Sequence, residues 1–189
     1  MSVVMAMQKR LWEKGWTKGA AVQAEAETRK RAGAPQLYTL KVFLTDGPMT
    51  KAFAGKEISR TIQMRGDQTL QALHRAIFKA FDREEEHLHE FNFGTGPYDR
   101  GGPRYTLRSN MKDFMTDEVT AGDVAKTTLD SLGLEVGRAF GYWFDFGDDW
   151  RHEIRVEAIG GAPLKGRFPK VTARIGESPP QYANPEELE

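Results

Sequence analysis

Cysteine is absent from this 189-residue chain. That excludes disulfides, thiolate metal sites, iron–sulfur clusters and cysteine nucleophiles; it fits a reducing compartment without requiring one. An excess of charge of either sign is missing as well: Lys plus Arg and Asp plus Glu are 27 each, for a formal net charge of +0. Such a balance gives no overall attraction to nucleic acid or anionic membrane, so any binding of that kind has to come from a local patch. No apolar run reaches the roughly 18 residues that span a bilayer, and no membrane association is expected. The opening Val3-Val4-Met5-Ala6-Met7 is followed, not preceded, by the basic Lys9-Arg10, the reverse of a secretory signal. The expected location is cytoplasmic.

Known catalytic signatures are scarce too. Asp145-Phe146-Gly147 spells a kinase tripeptide, but no glycine-rich loop, strand lysine or His-Arg-Asp loop accompanies it. The glycines between Gly94 and Pro103 lack the Gly-Lys-Ser/Thr ending of a phosphate loop. No cofactor is implied.

The chain is 39% hydrophobic and 11% aromatic, which suits one packed domain. Residues 1–34 read differently from the rest. They carry Lys9, Arg10, Lys14, Lys18, Arg29, Lys30 and Arg31 against Glu13, Glu25 and Glu27. Met5, Trp12 and Trp16 fall at helical spacings, and Gly33-Ala34-Pro35 closes the segment. The expectation is a basic, partly helical N-terminal extension, which either packs its tryptophans on the domain or docks on an acidic partner or nucleic acid.

Residues 35–189 are then expected to form a single α+β domain with a coil tail. Leu37–Leu44 alternates as a strand with Tyr38, Leu40, Val42 and Leu44 on one face, and 57–64 alternates likewise. Thr69 is placed to cap a helix with Leu70, Leu73, Ile77, Phe78 and Phe81 spaced by threes and fours. Arg83-Glu84-Glu85-Glu86 reads as a solvated corner after it. Strands are expected over 87–93 and 104–107, a helical turn closed by Gly133, and an edge strand within 168–175. The fold class is α+β, mainly antiparallel sheet with one principal helix packed on it, plus the N-terminal helical arm.

The richest segment runs from Tyr142 to Glu157. It reads as two strands, about 138–146 and 150–159, joined by a tight turn at Gly147-Asp148-Asp149, where glycine and aspartate tolerate positive φ. Asp145, Asp148 and Asp149 offer oxygen ligands for a hard cation, or else they cap N–H groups of the turn while Trp150 closes the core. His87 and His89 alternate on a strand and share a face, so with Asp145 and His152 they make a weak candidate metal set. Their other reading is an exposed His87 and a hydrogen-bonded His89. His74 reads as a packed or capping side chain. Scattered cations at Arg151, Arg155, Lys165, Arg167, Lys170 and Arg174 add a diffuse basic character.

The order of elements converges on a known pattern: two strands, a helix carrying Leu73-His74, then His87-Leu88-His89-Glu90-Phe91, the Tyr142–Glu157 hairpin, and Gly176-Glu177-Ser178-Pro179-Pro180. Over residues 37–183 this resembles the plasmid pRiA4b ORF-3-like family, also met as passenger proteins of bacterial insertion elements. The resemblance implies a single α+β domain and supplies no catalytic roster. Many relatives have cysteines flanking the late Pro-Pro motif; this chain has none, so a thiolate role there is excluded.

The expected function is a non-catalytic binding or adaptor module, linked to plasmids or mobile elements. Its candidate surface is His87, His89, Asp145, Asp148, Asp149, Trp150 and His152, its main partner a protein, with nucleic acid possible through the basic arm. The alternative is a metal-assisted hydrolase or nuclease with His87, His89, Asp145 and His152 as ligands and Asp148 or Asp149 as base.

Overall fold

Strict alternation builds the central strand. In β1, Gln36–Asp46, the side chains of Tyr38, Leu40, Val42 and Leu44 are buried while Lys41 and Phe43 on the opposite face are partly exposed. The computed structural model describes residues 35–96, 99, 101–107, 121–161 and 166–182. The expected N-terminal arm, most of the polar stretch 109–127 and the end of the C-terminal tail lie outside the described residues.

Strand β2, Ser59–Arg65, pairs antiparallel with β1 and sets Ile62 opposite Leu40 and Met64 opposite Tyr38. Helix α1, Leu70–Ala80, follows; the Thr69 side chain accepts a hydrogen bond from the Ala72 N–H at 3.3 Å, satisfying one of the free N–H groups of the first turn. The helix buries Leu70, Leu73, His74, Ile77 and Ala80. Then come β3 (His89–Asn92), β4 (Arg104–Thr106), β5 (Gly122–Asp123), a 3-10 turn at Leu129–Leu132, β6 (Ala139–Phe144), β7 (Trp150–Gly161) and β8 (Lys170–Ile175). Gly133, at φ 63, ends the 3-10 turn as expected.

The eight strands form one sheet in the order β5-β4-β3-β6-β7-β1-β2-β8. Every described neighbouring pair is antiparallel except β4 with β5, so the sheet is mixed. One face carries the core: Leu40, Val42, Ile62, Met64, Phe91, Phe140, Tyr142, Phe144, Trp150 and Ile154 join Leu70, Leu73 and Ile77 of the helix. Truncating one such buried leucine costs about 2–5 kcal/mol. β8 lies at the sheet edge, where sequence placed it. Among the described residues no helix is long and apolar enough to cross a membrane.

Arg60 interrupts the apolar series on β2 and is nevertheless 2% exposed. Its Nε donates to the Ala80 carbonyl at the end of α1 at 2.8 Å, and Nη1 donates to the carbonyls of Ser59, Ile175 and Gly176. Nη2 donates to Ser178 Oγ at 2.7 Å. One guanidinium thus ties the helix C-terminus, the edge strand and the tail together, with every nitrogen satisfied.

Candidate functional site

The aromatic hairpin forms as the sequence suggests, with Tyr142 opposite His152, Trp143 opposite Arg151 and Phe144 opposite Trp150. β6 ends at Phe144 rather than 146 because the chain bends sharply at Asp145, whose φ is 55. The positive φ values fall on Asp145 and Asp149 (φ 58), not on Gly147, which corrects the expected turn geometry. Asp145 holds the bend together. Its Oδ1 accepts from the N–H groups of Gly147 (3.2 Å) and Asp148 (3.4 Å), its carbonyl accepts from the Asp149 N–H, and its own N–H donates to the Leu88 carbonyl. Asp149 Oδ1 accepts from Arg151 Nε at 2.7 Å. The capping reading of the aspartates therefore describes Asp145, and Asp148 and Asp149 stand at the surface of the turn.

Trp150 is fully buried beneath it. Gly47, at φ 150, lies so close to the indole that a Cβ there would sit 2.3 Å from a ring carbon. The Arg83 guanidinium stacks 3.6 Å from the ring centre.

The four candidate metal ligands divide. His87 lies just before β3, not on it, and is partly exposed: its Nε2 is 2.9 Å from Tyr182 Oη and 3.5 Å from Asp145 Oδ2. His89 is buried and stacks on His74, with ring centroids 3.6 Å apart and planes 3° apart. His152 is buried too, edge-on to Phe81 at 5.0 Å and 5.2 Å from the Tyr142 ring. The structure thus brings His87 and Asp145 together at the rim, while His89 and His152 are buried, both beside the Tyr142 ring. Among the described residues, no three His, Cys, Asp or Glu side chains are grouped to hold a metal ion.

Below the rim lies a polar interior that sequence reading undervalued. His74 Nδ1 is 2.7 Å from Tyr142 Oη and its Nε2 is 3.2 Å from Glu86 Oε2. The tautomer that satisfies both contacts has Nε2–H donating to the carboxylate and the phenol donating to Nδ1. Burial pushes His74 down to about 4, and His89 and His152 to about 3, so all three imidazoles are neutral at pH 7. Burial likewise raises the Tyr142 phenol well above its ordinary range.

Arg83 was expected in a solvated corner; instead it is 7% exposed, and burial lowers its guanidinium to about 10. Nothing in the periodicity marks it, because it follows the helix end in a run of charges. Its Nη1 donates to the Pro179 carbonyl at 3.3 Å, whereas Nε and Nη2 are buried without a partner. The Trp150 Nε1 shares that condition, whereas the His89 ring is hydrogen-bonded to the His87 backbone and the His152 ring to the Tyr142 backbone.

The surface beside the turn is aromatic and acidic. Leu88, Phe146 and Tyr182 are among the few large exposed apolar side chains. Phe146 packs on the Trp143 ring at 4.2 Å, and Arg151 covers that ring at 3.9 Å. Glu84, Glu85, Glu86 and Asp149 are exposed as well, and Glu85 Oε2 accepts from Tyr182 Oη at 2.9 Å. A separate cleft of about 440 Å³, lined by Phe93, Tyr105, Leu134, Val136 and Arg138 among others, contains none of the sequence candidates.

A family model described as plasmid pRiA4b ORF-3-like protein matches residues 37–183. A crystal structure of a protein of unknown function from Methanosarcina mazei superimposes with a TM-score of 0.60 at 25% identity, covering 78% of this chain and 74% of that one. No curated protein matches.

Proposed function

The chain belongs to the plasmid pRiA4b ORF-3-like family, and on that premise we propose that it acts as a non-catalytic binding or adaptor module whose contact surface is the hairpin rim. One observation carries the reading. Phe146 is exposed on a bend that Asp145 locks through its own hydrogen bonds; exposed Leu88 accepts from the Asp145 N–H through its carbonyl, and His87 joins Asp145 to exposed Tyr182. Apolar side chains offered beside a pre-organised bend, with carboxylates exposed nearby in sequence, suit a protein partner with an apolar anchor flanked by basic groups.

The basic residues of 1–34 supply a second, salt-sensitive contact, with nucleic acid or with an acidic protein. The family's description, which refers to a plasmid, is the support for a plasmid or mobile-element setting. No specific observation favours a metal-assisted hydrolase; of its proposed ligands, His87 and Asp145 are in contact.

The test is a paired substitution, Leu88→Ser with Phe146→Ser, examined by cross-linking in cells beside the unaltered protein. Partners lost by the variant at unchanged circular dichroism are the expected result. An identical set of cross-linked partners sinks the proposal.

A further inference from the structure

We propose that Arg83 and Trp150 form an internal site for a small monovalent anion of chloride size. This inference is independent of the rim's role. It starts from the chemistry of the unpartnered atoms. Arg83 Nε and Nη2 and Trp150 Nε1 are donors only, and all three are buried without a partner. These side chains are 7% and 0% exposed respectively.

They are also neighbours. The Arg83 guanidinium lies 3.6 Å from the Trp150 ring centre, and Trp150 and His152 alternate on β7, so both point to the inner face of the sheet. Arg83 is close enough to act electrostatically on both His152 and Tyr142.

A donor-only cluster in the interior needs an acceptor, because a buried N–H without one loses its hydration and gains nothing in exchange. The protein offers few. Tyr142 Oη is engaged with His74, and the Pro179 carbonyl already serves Arg83 Nη1. Asp145 brings negative charge to this region, but its Oδ1 accepts from the turn N–H groups and its Oδ2 faces His87. Glu86 is turned to His74 from a largely exposed position. No carboxylate lies within ion-pair distance of Arg83 among the described residues, so its charge has no direct counterion. A bound anion supplies acceptor and countercharge at once.

The experiment compares thermal unfolding in sodium chloride with that in sodium gluconate at equal ionic strength, gluconate being too bulky to enter. Saturating chloride is expected to raise the midpoint of the unaltered protein by about 3–6 °C. In Arg83→Met the chloride increment should shrink below about 1 °C. Equal midpoints in the two salts, or an undiminished increment in Arg83→Met, overturn the proposal. If Arg83→Met does not fold, crystals of the unaltered protein grown in sodium bromide decide. An anomalous peak within hydrogen-bond distance of Arg83 Nε supports the site; water there, or bromide at surface positions only, overturns it.

Discussion

Two buried arginines are treated in opposite ways. Arg60 stacks on Phe81 and spends all three nitrogens on carbonyls and a hydroxyl from the helix end, the edge strand and the tail. Arg83 stacks on Trp150 and satisfies one nitrogen, leaving two buried and unpartnered beside an equally unpartnered indole nitrogen. Around Arg60 the fold meets each polar demand from its own backbone, as structural interiors do. Around Arg83 the demand is left open. That difference separates a buried charge that holds the fold together from one that awaits something the chain does not provide.

The comparison can be broken at several points. The largest effect is expected from acid. His74, His89 and His152 have folded pKa values of about 4, 3 and 3, below the ordinary 6.5, so the unfolded chain binds more protons between those limits. Stability is therefore intact above about pH 6.5 and falls as pH drops toward 4, with each proton contributing about 1.4 kcal/mol per pH unit. Urea unfolding between pH 7 and 4 should show a slope approaching three protons. A flat profile would place these imidazoles in contact with solvent.

Gly47→Ala comes next. It forces a Cβ into the Trp150 ring at a φ of 150, and a loss of about 2–4 kcal/mol is expected from overpacking and backbone strain together. Tyr142→Phe removes the phenol that donates to His74 and should cost about 1 kcal/mol. Phe146→Ser, at the rim, should change stability by less than about 0.5 kcal/mol while impairing partner binding. A rim substitution as costly as Gly47→Ala would make the rim part of the core and remove it as a contact surface.

Much of the scaffold was legible because burial imposes a period. Tyr38, Leu40, Val42 and Leu44 announced β1, Leu70, Leu73 and Ile77 announced the helix, and Thr69 capped it as its side chain suggests. The hairpin was legible from its aromatics and its aspartates. What escaped were features without a local pattern. The parallel β4–β5 pair depends on a short, distant strand at Gly122–Asp123. His74 was seen as packed, but its stacking on His89 joins residues that only the tertiary fold brings together. Arg83 sits in a run of charges whose composition signals solvent, and its burial comes from the 178–182 segment returning over it: Pro179 accepts from Arg83, and Gln181 accepts from the N–H groups of Glu84 and Glu85. The alternation of His87 and His89 also misled, since only His89 is on the strand.

The contrast between the arginines is tested most directly by urea unfolding of Arg60→Met and Arg83→Met side by side in gluconate buffer. Losing the Arg60 hydrogen bonds orphans several buried carbonyls and should cost about 4 kcal/mol. Replacing Arg83, whose charge has no direct counterion, by an apolar side chain of similar length should change stability by less than about 1 kcal/mol or raise it. A loss at Arg83 equal to that at Arg60 would mean that both arginines serve the fold alike, and would contradict the account.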